Sequence, residues 1–101
     1  MIGAQIPIPY ERIESFCHKW RITEFALFGS VLTAEFRPDS DVDVLVTFEA
    51  GAPWSLLDLG EMREELVEIF GREVDLVEKK ALRNPFRKKH ILSTYRIVYA
   101  A

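Results

Sequence analysis

The chain has 101 residues, 49% of them apolar, and a formal net charge of −3, which fits one globular domain over 1–101 and leaves no length for a second. No stretch approaches the roughly 18 apolar residues of a membrane span, and Met1-Ile2-Gly3-Ala4-Gln5 lacks a basic leader and a cleavage pattern, so a cytoplasmic location is expected. Cys17, the single cysteine, excludes an internal disulfide and is too few for a zinc site.

Pro7 and Pro9 keep the first residues extended, and Pro9 begins a helix over 10–20 with Ile13, Phe16, Cys17 and Trp20 at helical spacing. Residues 22–28 are rich in aromatic and branched side chains, read as the first strand, and stop at Gly29. Gly29-Ser30 opens a turn. Residues 31–36 have the composition for one or two helical turns before Arg37-Pro38-Asp39-Ser40, a segment of strong turn chemistry.

The second strand is predicted over 42–48 and runs into a loop at 49–53. From Ser55 onward Leu56, Leu59, Met62, Leu66, Ile69 and Phe70 recur with helical period among glutamates, forming the longest helix, with Gly71 as its C-terminal stop. Residues 73–77 form a short third strand. Pro85 opens a last, basic helix carrying Phe86, Ile91 and Leu92, after which Tyr95 and Tyr99 pack the C-terminal segment. Strands separated by helices predict an α/β domain with a small mixed sheet.

The charge is distributed unevenly. Residues 1–77 carry six basic and fifteen acidic side chains, whereas 78–101 carry seven basic and one acidic. The basic tail, centred on Arg87, Lys88 and Lys89, suits an acidic protein partner. It lacks the aromatic interleaving of a nucleic-acid platform, which argues against direct nucleic-acid binding. Its ordinary reading is a solvated basic face. His18 and His90 are expected at the surface, and Trp20 and Trp54 as core or rim hydrophobes, with Trp54 also a candidate to meet a partner.

The chemistry concentrates in Asp41-Val42-Asp43, two carboxylates one residue apart at the start of an apolar strand. Residues two apart project from one strand face about 7 Å apart, so both carboxylates can converge on hard cations. Asp75, between Val74 and Leu76, can add a third on the next strand. Gly29 lets backbone approach a phosphate, and Ser30 adds a hydroxyl and an amide at a possible helix start. Taken separately, a glycine-serine pair is a common turn and an Asp-x-Asp a solvated strand end. A calcium loop starting at Asp39 would need Gly and Glu where Val44 and Ala50 stand, and no Walker phosphate loop is present.

Gly29-Ser30, ten intervening residues, then Asp41-Val42-Asp43 resembles the signature of the polymerase-beta-type nucleotidyltransferase superfamily. The short length, the Arg37–Asp41 approach and the following Val44-Leu45-Val46 strand resemble its minimal branch, the MNT antitoxins that pair with HEPN-domain toxins. The resemblance covers roughly 10–99. It implies a minimal nucleotidyltransferase fold, a small mixed sheet flanked by helices, with ATP as donor and a two-metal Mg²⁺ site. It further implies AMP transfer to a tyrosine hydroxyl of a cognate HEPN ribonuclease toxin in a hetero-oligomer. By position, Gly29 and Ser30 match the triphosphate-binding turn, Asp41 and Asp43 the catalytic metal pair, and Asp75 the third catalytic and metal-binding carboxylate. One departure stands out. Many relatives carry arginine and glycine after the Gly-Ser pair, where this chain reads Val31-Leu32-Thr33-Ala34-Glu35, leaving Arg37 as a substitute. The rival expectation is an antitoxin that neutralises its toxin by covering it; transfer to a small molecule or RNA is disfavoured because no second domain holds that acceptor.

Overall fold

The fold follows from where the apolar period changes along the chain. In the computed structural model, which describes residues 6–34 and 36–101, α1 spans Tyr10–Lys19, β1 Ile22–Phe28, β2 Val42–Phe48, α2 Leu56–Phe70, β3 Val74–Glu78, α3 Pro85–Thr94 and β4 Arg96–Ala100. Short 3-10 turns at Gly29–Leu32 and Lys79–Ala81 follow β1 and β3. Local signals set the helix ends. Ser55 and Asp58 form a reciprocal capping box at the start of α2, and Gly71, in the left-handed region at φ 72°, closes it. At α3 the Asn84 side chain accepts from the Phe86 and Arg87 amides, with Pro85 at the first helical position, where its missing N–H costs nothing.

The four strands lie in the order β3-β2-β1-β4. β1 is antiparallel to both β2 and β4, while β2 and β3 run parallel because α2 carries the chain back between them. Strand alternation divides the interior. Phe25, Leu27, Val42, Val44 and Val46 face α1 and α2, where Ile13, Phe16, Cys17, Met62 and Leu66 complete the larger core. Ala26, Phe28 and Leu45 face the other way, toward Leu82 and Ile91 of the α3 side. The sheet is therefore sandwiched, the α/β arrangement expected from the order of the elements.

Burial pushes the Cys17 thiol up to about 12, with Glu14 adding to it, so this residue is a small hydrophobe. Trp54 turns inward: its ring meets Trp20 edge-on at 5.1 Å and its Nε1–H donates to the Trp20 carbonyl at 2.7 Å. This is the packing role at the core or rim expected for Trp54. His18 and His90 are exposed as expected.

Three elements differ from the sequence expectation. β3 begins one residue later, at Val74. The helical turns expected over 31–36 are a 3-10 turn starting at Gly29, stopped where the Ser30 carbonyl accepts both the amide and the hydroxyl of Thr33; residue 35 lies outside the described residues. The C-terminal segment is a fourth strand. Its residues are exposed or half-buried, so they carry little of the apolar alternation that marks a strand, and pairing with β1 decides their conformation.

Candidate active site

The first carboxylates are placed by the strand register. Asp43 lies opposite Phe28 on β1 and opposite Asp75 on β3, so the central strand carries an acid with the Gly29 turn on one side and a second acid on the other. Asp43 and Asp75 share the face of Leu45 and Val77, the face under α3. Asp41 lies just ahead of β2 and is exposed, as is Asp75, whereas Asp43 is half-buried. The structure thus brings together Gly29, Asp41, Asp43 and Asp75, which are scattered over 47 positions.

The electrostatics of the cluster are those of crowded acids. Asp43's carboxyl is pushed up to about 6, first by burial, then by the negative charges of Asp75 and Asp41, with the Arg87 guanidinium pulling the other way. Its carboxylate also presses on the turn. Gly29 sits at φ 76°, and a β-carbon there would overlap Asp43 Oδ2. Glycine is therefore required twice over, by the backbone conformation and by the acid packed against it. A phosphate held at this turn would lie directly on Asp43.

Two arginines that the sequence reading did not single out hold the loops leading into the acids. Arg72 donates to the carbonyls of Arg37 at 3.2 Å and Ser40 at 3.4 Å while stacking on Phe36 at 4.6 Å, which secures the approach to Asp41. Arg63, from α2, donates to the Val74 carbonyl at 3.1 Å and to Glu73 at 2.6 Å, securing the start of β3 one residue before Asp75. The Val42 amide donates to the Glu73 carbonyl at 3.0 Å and ties the two loops to each other. Nothing in the spacing of Arg63 and Arg72 announces this, because both act from distant elements.

The basic tail is not one stripe. Lys79 pairs with Glu24 at 3.2 Å and lies over the Tyr95 ring, and Arg87 acts on Asp43, leaving Lys88 and Lys89 on the exposed side of α3. Arg37, expected as a phosphate contact, is exposed, and its backbone is what closes the loop: its amide donates to Ser40 Oγ at 3.0 Å. Ser30 is the second residue of a four-residue 3-10 turn and does not start an α-helix, so an anion there would rely on local amides with little macrodipole behind them.

The acids fit magnesium in a particular way. Among the described residues no three His, Cys, Asp or Glu side chains close around a common point to form a ready metal cage. Mg²⁺ does not ask for one, since it keeps waters and is held by one or two carboxylates together with substrate phosphates. A half-buried acid whose neighbours raise its pKa, packed against a turn open to phosphate, matches that requirement.

Known proteins resemble most of the length of the chain. A model of the family described as nucleotidyltransferase domain matches residues 10–98. The chain is similar to protein adenylyltransferase MntA of Thermococcus cleftensis, 41% identical over 70 residues that make up 69% of each chain. Its fold is that of a toxin-antitoxin crystal structure with AMP-PNP, at TM-score 0.73 and 17% identity over 92% of this chain and 74% of that one. It also resembles the complex of a tri-AMPylated Shewanella oneidensis HEPN toxin with MNT antitoxin, at TM-score 0.66 and 17% identity over 91% and 70%.

Proposed function

The chain belongs to the nucleotidyltransferase domain family, and from that premise we propose that it is an antitoxin that transfers AMP from ATP to a tyrosine hydroxyl of a HEPN ribonuclease toxin, silencing it. The observation that carries this reading is Asp43, flanked in register by Asp75 and pressed against Gly29. A site with no substrate would gain nothing from acids held this close. The naming of MntA as a protein adenylyltransferase and the AMPylated HEPN toxin of the similar complex supply the acceptor class. The similar structure with AMP-PNP supplies the donor class. Such a pair would work in the cytoplasm, and among the described residues no helix is long and apolar enough to cross a membrane.

In the reaction, the tyrosine oxygen bonds to the α-phosphorus of ATP, the bond from that phosphorus to the bridging oxygen breaks, and pyrophosphate leaves with the electron pair. Gly29 and Ser30 seat the phosphates against Asp43. Asp75, across Asp43 from the turn, faces the incoming hydroxyl and takes its proton. Arg87 offsets negative charge at the centre of the cluster. Mg²⁺ bound by Asp41 and Asp43, with Asp75 on the nucleophile side, would neutralise charge building on the phosphates.

The test is to co-express the chain with a HEPN-domain toxin as candidate partner and to weigh that protein by mass spectrometry. Wild type adds AMP and protects the cells. Asp41→Asn with Asp43→Asn keeps shape and removes both charges, so AMP addition falls by about 1000-fold or more and protection goes with it. Full protection by the double variant, with no modification of the toxin, would leave neutralisation by binding as the function.

A further inference from the structure

Strand pairing places two of the three acids and leaves the third to a loop. Asp43 and Asp75 lie opposite each other in the parallel ladder of β2 and β3, so their separation is set by the sheet. Asp41 lies ahead of that ladder, because the pairing with β3 starts at Val42 and the pairing with β1 reaches only to Asp43. What places Asp41 is the turn before it. The Arg37 amide donates to Ser40 Oγ and the Ser40 amide to the Arg37 carbonyl, both at 3.0 Å, which closes residues 37–40 on themselves. Arg37, Pro38 and Asp39 are exposed, so the closed turn has to be tied to the rest of the molecule from outside.

Arg72 supplies that tie. It follows Gly71, the left-handed stop of α2, and stands three residues before Asp75. One terminal nitrogen of its guanidinium, Nη1, donates to the carbonyls of both Arg37 and Ser40, at 3.2 and 3.4 Å, and so spans the two ends of the turn. The guanidinium also lies 4.6 Å from the centre of the Phe36 ring, and Phe36 packs on the larger core. The turn is thereby fixed to the segment that leads into β3, with the second hydrogen bond made one residue before Asp41. We infer that Arg72 is a positioning residue for the cation-binding acids: it holds Asp41 where it can share a divalent cation with Asp43 and Asp75. The assignment rests on the transferase reading above. Groups that orient a metal's ligands without touching the metal commonly account for about 10- to 100-fold in its affinity.

Binding of Mn²⁺ without nucleotide, followed by electron paramagnetic resonance, reads the metal alone. Arg72→Met removes both hydrogen bonds and one positive charge. Loss of the charge by itself would tighten cation binding, whereas loss of the tether loosens it, so the two roles differ in sign. Arg72→Met is expected to bind Mn²⁺ about tenfold more weakly than wild type, with a wild-type circular dichroism spectrum. Phe36→Leu changes no charge and removes the ring under the guanidinium, with an expected loss of about threefold. In an Asp41→Asn background Arg72→Met should add less than about a twofold loss, because the tether acts through Asp41. Equal or tighter Mn²⁺ binding in Arg72→Met, or in Phe36→Leu should the first variant not fold, overturns the assignment while the transferase reading stands. An undiminished tenfold loss in the Asp41→Asn background overturns it as well. Wild type that takes up Mn²⁺ neither alone nor with ATP overturns the transferase reading and the assignment with it.

Discussion

The two faces of the sheet are built for different ends. The face under α1 and α2 is closed from end to end: Phe25, Leu27, Val44, Met62 and Leu66 are wholly buried, and among the described residues no charged group is buried with them. Among the described residues, the face under α3 buries five, Ala26, Phe28, Leu45, Leu82 and Ile91, and past Leu45 it gives way to Asp43 and its acidic neighbours. A ten-residue helix is about 15 Å long, too short to cover the sheet on its own. Stability is concentrated on one face so that the other can hold like charges side by side, and the closed face offsets that cost.

The largest effect should separate the faces by stability alone. Phe25→Ala removes a wholly buried ring from the closed face and should cost about 3–5 kcal/mol, against about 2 kcal/mol for Ile91→Ala on the thinner face. Urea unfolding of the two variants measures the difference, and equal losses would break the comparison.

Within the charged face, Gly29→Ala should cost about 1–2 kcal/mol from its φ of 76° alone, and more because the new β-carbon meets Asp43. Placing Asp43→Ala in the same chain removes that overlap. The double variant is therefore expected to be more stable than the sum of the two single changes, and strict additivity in a double-mutant cycle would disprove the contact.

The smallest effect is a pH dependence. Asp43 titrates near 6 in the folded protein, above its ordinary value of 3.8. Below that ordinary value both states hold the proton and Asp43 contributes no penalty. As pH rises toward 6 the unfolded chain releases its proton first, so stability is lost across this window and the loss is complete above it. Discounted for solvent around a half-exposed group, the penalty is about 1 kcal/mol. Asp43→Asn should melt a few degrees above wild type at pH 7.5 in chelator, with the gap closing by pH 4. A gap that does not change with pH would show that the neighbouring acids leave Asp43 unstrained.

What the chain states locally was legible before folding. Apolar periods located three helices and three strands, Ser55 and Gly71 marked the ends of α2, and Gly29-Ser30 ahead of Asp41-Val42-Asp43 identified the family, because period, caps and short motifs are properties of neighbouring residues. The tertiary structure decided the rest. Asp75 meets Asp43 only through the parallel register of β2 and β3, which is set across the whole of α2. Arg63 and Arg72 hold the acidic loops from elements whose distance in space no spacing encodes. β4, with little apolar alternation, is a strand because β1 offers it an unpaired edge. Arg87 left the basic tail to act on Asp43 because α3 packs across that face of the sheet. Residue types and local order specified the chemistry; the pairing of strands brought its parts together.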